Sequence, residues 1–270
     1  MRFFSTKSAD GTRLRLGRVN EEGRKDLLVV HGLAEHLGRY EHLAEAMADD
    51  GWRVTLVELR GHGSSEGQRG HADLWIRYVE DIQAAMGAVA RPMSVLAHSM
   101  GGLATLSMLQ HSVHPPVRSV ALSNPLLGLT SPPSRGKELA IRLVSRIVPW
   151  LKVPNEVDPA SLCRDPAIVL RYKQDPLVHN KVSVRWGREM MKALESVHRY
   201  APKYRLPLLL LLGDVDMVCD PDASLRFAEN YGGDSEIRRF PKLYHELFNE
   251  PEKAEVIEAM KVWLNRRNSD

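Results

Sequence analysis

The sequence predicts an α/β domain, a mostly parallel sheet flanked by helices and interrupted by a helical insertion. Three observations carry this. The continuous apolar run at Leu27 to Val30 has the character of a strand buried on both faces, Leu208 to Leu212 reads as a buried strand, and Met93 to Ala97 is an apolar β-type run. Segments with apolar residues at helical spacing alternate with them, as parallel sheets require. From Asn124 to about Tyr200 that rhythm stops. Eight prolines (at 125, 132, 133, 149, 154, 159, 166 and 176) punctuate short helical pieces there, and no strand is evident. The division is therefore a core of residues 1–123 and 201–270, with residues 124–200 inserted as a cap. In open α/β sheets such insertions lie beyond the carboxyl ends of the strands, where ligands bind.

In order along the chain, Arg2 to Lys7 and Arg13 to Val19 alternate about Asp10-Gly11, the pattern of an opening hairpin. After the strand at Leu27, Tyr40 to Asp50 is helical, with Leu43, Ala46 and Met47 on one face and Gly51 ending it. Trp52 to Leu59 is a strand. The glycine-rich loop Arg60 to Gly70 leads to a helix over Asp73 to Val89. A strand and helix surround Ser99, and a further strand covers Val117 to Leu122. Beyond the insertion come the strand at Leu208, a helix over Ala223 to Asn230, a strand over Ile237 to Phe240, and a closing helix over Pro251 to Asn265.

Composition narrows the function classes. With 270 residues and 43% hydrophobic content the chain has room for a sizeable core. A net charge of +3 and no Lys/Arg run give no reason to expect nucleic acid as a partner. Cys163 and Cys219 are the only cysteines; without metal-ligand spacing or a bridge framework they indicate a reduced, cytoplasmic setting. Neither a signal peptide nor a segment of 18 apolar residues is evident.

The stretch from Val95 to Gly102 has the layout of a nucleophile elbow, a sharp strand-to-helix turn that exposes a serine hydroxyl above a sheet. Residues two places either side of Ser99 must be small, and they are Ala97 and Gly101, where the usual G-x-S-x-G pattern has glycine at both. A serine hydroxyl becomes a nucleophile when a histidine takes its proton and a carboxylate fixes that histidine's tautomer. In this arrangement the partners follow in the order Ser, acid, His, in loops after later strands. The strand at Leu208 ends in Gly213-Asp214-Val215-Asp216, which offers two candidate acids. The strand at Ile237 is followed by His245, the only histidine beyond His198. His245-Glu246 lacks a second histidine at 249, so it is no H-E-x-x-H zinc helix. An oxyanion hole needs backbone N–H donors, and Leu33 after Gly32 and Met100 after Ser99 are the candidates. No metal and no cofactor is expected.

Several linked motifs resemble the monoacylglycerol lipase and lysophospholipase family of α/β-hydrolases. His31 to Tyr40 is similar to that family's H-G-x-x-E-H-x-x-R-Y signature, Arg60 to Gly67 to its R-G-H-G-x-S-x-G loop, His98 to Gly102 to its elbow, and Gly213 to Asp220 to its acid loop. The resemblance implies the α/β-hydrolase fold, Asp216 as the acid, Cys219 near the catalytic centre, and polar roles for Glu35 and Arg39 near the glycerol end of the site. Glu35 and Arg39, four apart, could instead pair with each other. Ala97, Ala34 and Glu58 depart from the family pattern. Phe248 stands where some members carry a histidine that contacts glycerol, so it is a candidate substrate contact that puts the head group in question. The implied activity is serine-dependent hydrolysis of a single-chain lipid ester to fatty acid and glycerol. Lysophospholipase, broad carboxylesterase or thioesterase, aminopeptidase-like hydrolase and a non-enzymatic ligand-binding relative are the alternatives.

The insertion carries 13 Lys/Arg against 7 Asp/Glu, a net of +6 where the whole chain has +3, so the remainder carries −3. Lys137 to Leu151 is a basic amphipathic stretch ending in Trp150-Leu151. It is expected to pack its apolar side over the pocket, and it has the composition to touch a membrane surface.

Overall fold

The computed structural model describes residues 1–268. Eight strands form one sheet in the order β1-β2-β4-β3-β5-β6-β9-β10. The hairpin β1 (Arg2–Lys7) and β2 (Arg13–Val19) is antiparallel, and β2 pairs antiparallel with β4 (Trp52–Val57). From β4 onward every neighbour is parallel: β3 (Lys25–Val30), β5 (Met93–His98), β6 (Val117–Ser123), β9 (Leu208–Gly213) and β10 (Ser235–Phe240). The expected fold class is the observed one. The apolar runs are central strands because both of their faces are covered: every residue of β4, β5 and β9 is buried.

Each face has its own hydrophobic cluster. One is built by α2 (Ile76–Val89), α3 (Met100–Gln110), α6 (Val184–Tyr200) and α7 (Pro221–Glu229), through Tyr78, Leu103, Leu106, Val197 and Phe227. The other is built by α1 (Glu41–Asp49) and α8 (Lys253–Arg267), through Leu43, Met47, Met260 and Trp263. The glycine-rich loop is a rigid turn, pinned by Arg60, whose guanidinium holds the buried carboxylate of Asp81 at 2.7 Å and that of Asp10 at 2.7 Å. Helix α2 begins at Ile76 rather than Asp73, because residues 73–75 are taken up by a turn in which Leu74 N–H donates to the Asp73 carboxylate.

The segment between β6 and β9 adds no strand to the main sheet, since those two strands pair directly. It holds α4 (Arg135–Ile147), α5 (Pro166–Gln174) and α6. It is not strandless: β7 (Lys152–Pro154) and β8 (Lys181–Ser183) pair antiparallel. Three residues carry too little alternation to be seen in sequence, and Pro154 is tolerated because such a pair is all edge. A second expectation is corrected here. The apolar row of α4 does not face the protein: Leu139, Leu143 and Ile147 are exposed, and Ser145 is the helix's one buried residue. Helix α6 lies between α4 and the core, packed on α3, with its own Trp186, Met190, Ala193 and Val197 buried. Among the described residues no helix is long and apolar enough to cross a membrane.

Candidate active site

Ser99 occupies the single-residue turn between β5 and α3, with φ +50° and ψ −119°. Such a backbone costs on the order of 1–3 kcal/mol and persists only where its surroundings hold it. Here Ser99 N–H donates to the Ser123 carbonyl at 3.1 Å, and the Ser99 carbonyl accepts from Gly102 N–H at 2.9 Å and Leu126 N–H at 3.0 Å. The helix starts so abruptly that a Cβ on Gly101 would lie 2.4 Å from the His31 carbonyl oxygen, which explains the glycine there. Ala97, on the strand side, sits in register between Val30 and Leu122, and its methyl is accommodated in the buried sheet.

The loop after β10 brings His245 to the same place. Its Nδ1 lies 2.8 Å from Asp216 Oδ2, with the side chains 4% and 0% exposed. A carboxylate only accepts, so Nδ1 carries the proton and Nε2 keeps its lone pair. The second oxygen of Asp216 accepts from Val218 N–H at 2.8 Å and Cys219 N–H at 3.0 Å, which holds the side chain in place. Burial pulls the imidazole pKa down, but the charge and hydrogen bond of Asp216, joined by Glu246 and Glu35, outweigh it and leave the histidine raised above its ordinary value. Asp214, the other acid of the loop, pairs instead with Arg239 at 2.8 Å.

Ser99, His245, Leu33 and Met100 line one cavity. The loop carrying Leu33 lies close against the serine, since a Cβ on Gly32 would be 3.2 Å from Ser99 Cβ. Glu35 also lines the cavity, 3% exposed, and accepts from Gly32 N–H and from Tyr40 O–H at 2.7 Å. Burial raises its pKa, and the neighbouring Glu246 raises it further. Arg39 sits behind this wall. Its Nε is 3.4 Å from Glu35 Oε2, its Nη2 donates to Glu246, and its guanidinium stacks 4.9 Å from the Tyr172 ring. The pairing of Glu35 with Arg39 is thus present, and Glu35 meets the cavity as well. Phe248 does not line the cavity. It is 2% exposed in the cluster of Leu243, Leu247 and Val256, where an apolar ring belongs. The candidate contact at 248 is replaced by Glu246, next to the histidine.

Three residues escaped sequence reasoning. Glu246 is one. Asn124, immediately after β6 at φ +39°, donates to the Tyr244 and His245 carbonyls at 3.0 and 2.8 Å and accepts from Gly213 N–H at 2.9 Å. It therefore ties the acid strand and the histidine loop to the strand beside Ser99. An Asn directly after a strand, where left-handed backbone is tolerated, was the only available signal. His98 packs its ring 4.6 Å from that of His245. Cys219 Sγ lies 3.8 Å from Ser99 Oγ, and burial keeps the thiol pKa well above its ordinary value. Asp216, Cys219 and His245 bring one donor atom each within 4.8 Å. The carboxylate–imidazole hydrogen bond engages two of these, and the third is a protonated thiol, a poor donor set for a metal.

A nucleophile-elbow serine over a parallel sheet, sharing one cavity with a buried histidine–carboxylate pair from later loops, is the architecture of the α/β-hydrolases, and the protein is a serine hydrolase of that class. The chain belongs to the family described as serine aminopeptidase, S33, whose model matches residues 21–252. It is similar to monoacylglycerol lipase of Mycolicibacterium smegmatis, 31% identical over 88% of this chain and 87% of the relative. Phospholipase YtpA of Bacillus subtilis is 29% identical over 89% of this chain and 95% of its own length. The crystal structure of Paleococcus ferrophilus monoacylglycerol lipase superposes with a TM-score of 0.88 at 31% identity, covering 94% of this chain and 99% of that one.

Proposed function

We propose that the protein hydrolyses the ester of a single acyl chain, with a monoacylglycerol as its substrate. The observation that carries this reading is the division of the cavity lining. Leu126, Leu129, Val157, Trp186, Met190 and Val218 offer apolar surface for hydrocarbon. Glu35 and Glu246 offer carboxylates on the same cavity, able to accept from the free hydroxyls of a polyol. Ser99 is shared by both.

In this reading His245 Nε2 takes the Ser99 proton as the oxygen attacks the ester carbonyl, and Asp216 stabilises the imidazolium. The N–H groups of Leu33 and Met100 receive the oxyanion, with the N-terminus of α3 adding its dipole. His245 returns the proton to the departing glycerol. Water, deprotonated by His245, then cleaves the acyl-enzyme and releases the fatty acid with Ser99 restored.

The similarity to a phospholipase raises a second reading, a lysophospholipid substrate. The cation beside the carboxylates disfavours it, because Arg39 is held by Glu35 and Glu246 and leaves no uncompensated positive charge for a phosphate. Residues 124–200 act as the cap over this cavity, contributing Asn155, Val157, Leu162, Tyr172, Trp186 and Met190 to its lining. The exposed row of α4 rests on the lipid surface that holds the substrate, since an apolar patch rimmed by cations fits a bilayer interface.

The deciding experiment compares a monoacylglycerol, a lysophospholipid and a short-chain nitrophenyl ester, with wild type and Ser99→Ala. The wild type should turn over the monoacylglycerol best, and the variant should be inactive on all three. Equal rates in both proteins would remove Ser99 as the nucleophile; preference for the lysophospholipid would transfer the assignment to the second reading.

A further inference from the structure

The seam between α4 and α6 gathers charge that neither the cavity nor the core uses. Arg142 and Arg146 stand one turn apart on α4, Arg188 and Lys192 one turn apart on α6, and with Met191 and Glu195 they line a surface groove. Lys192 is paired with Glu189 at 2.7 Å, and Glu195 lies 3.8 Å from Arg199. Arg142, Arg146 and Arg188 make no ion pair among the described residues, although acidic groups balance most other arginines of the chain.

The neighbourhood of this groove specifies its occupant. On α4, Leu139, Leu143 and Ile147 form one exposed row, 57%, 51% and 77% accessible, continued by Trp150 at 61%. Arg142 and Arg146 precede Leu143 and Ile147 by one residue each, so they lie about 100° around the helix, between the apolar row and the α6 side where Ser145 is buried. An apolar row that enters a bilayer puts its flanking residues at the depth of the lipid phosphates. The end of the patch is fixed to the wall of the site: the Leu151 carbonyl accepts from Val184 N–H at 2.9 Å, and Trp186, two residues on, lines the cavity.

We propose that the α4–α6 seam clasps the phosphate of an anionic phospholipid while the leucine row beside it enters the acyl layer. Guanidinium forks match phosphate oxygens bidentately, and three of them without carboxylate partners face one groove. The excess of +6 in residues 124–200, against −3 elsewhere, turns this side of the protein toward a negative surface. The clasp holds the cavity mouth at the interface. It rests on the lipid-ester reading for its purpose but not for its test, whose deciding readout is vesicle binding.

The test is co-sedimentation with vesicles of phosphatidylcholine, alone or with about one-third phosphatidylglycerol, for wild type and an Arg142→Gln/Arg146→Gln/Arg188→Gln variant. Wild type should favour the anionic vesicles, and the variant should bind them on the order of 100-fold more weakly while its short-ester turnover stays at the wild-type level. A Leu143→Ser/Ile147→Ser variant should bind both vesicle types less. Equal wild-type binding to both vesicles, or full anionic binding by the arginine variant, overturns the clasp. So does a micromolar dimer that Leu143→Ser/Ile147→Ser abolishes, since a second copy would then cover the row. Clasp behaviour with no monoacylglycerol turnover would retain this inference and sink the substrate reading.

Discussion

Helices α3 and α4 are of similar length and both rich in leucine, and they put those leucines to opposite use. In α3 ten of the eleven residues are buried, so the helix is fixed on every side and presents Ser99 at its N-terminus without freedom to shift. In α4 one residue of thirteen is buried, and the leucines face outward. Burial on all sides suits a group that must be held within a fraction of an ångström. An apolar face left open suits a surface supplied by something other than the chain itself. Substitutions should therefore separate the two helices, in chemistry first and stability next.

The largest effect belongs to the site at the start of α3. Ser99→Ala and Asp216→Asn should each lower kcat by about 10⁴-fold or more, with circular dichroism unchanged. Retained activity in Ser99→Ala would break the comparison at its root. In stability, Leu106→Ala in α3 should cost about 2–5 kcal/mol by urea unfolding, because Leu106 is fully buried and leaves a cavity. Asn124→Ala should lower kcat by roughly 10- to 100-fold with little change in KM, because it loosens the loop carrying His245 rather than removing a group that touches substrate.

A smaller effect concerns pH. Because the His245 pKa is raised, its neutral form, the base of the proposed mechanism, is lost as pH falls through a value above that of an ordinary histidine. Glu246→Gln removes one of the negative charges responsible, so the acid limb of the kcat/KM profile should move to lower pH. Arg142→Gln, in the seam, should leave that limb in place. Movement of the limb toward higher pH in Glu246→Gln would contradict the electrostatic account. Smallest of all, Leu143→Ala should change unfolding free energy by less than about 0.5 kcal/mol, since its side chain is half exposed. A loss comparable to that of Leu106→Ala would show that the row is covered in solution.

Much of this molecule was readable locally. Strands β3 and β9 announced themselves by unbroken apolar runs, β5 by an apolar run interrupted once at Ser94, and Ser99 by the small residues that its turn demands. The two-strand pair β7–β8 was invisible because three residues are too few to show a period. The outward turn of α4 was unreadable for a different reason: an amphipathic pattern states that one side is apolar but not what that side will meet. Phe248 and Glu246 show the same limit at the site. Two neighbouring positions in one loop face different environments, and only the loop's path sends the carboxylate to the cavity and the ring to the core.

By itself the sequence determined the parallel sheet, the strained turn at Ser99, and the loops from which a histidine and an acid would come, because each is set by residues within a few positions of one another. Tertiary structure alone decided that Asn124 ties the loops of Asp216 and His245 together, that Arg39 is shared by two carboxylates, and that the leucines of α4 face away from the protein. Those outcomes depend on side chains brought together from distant strands and on which surface α6 had already occupied. Packing resolves such competition, and no local pattern records it.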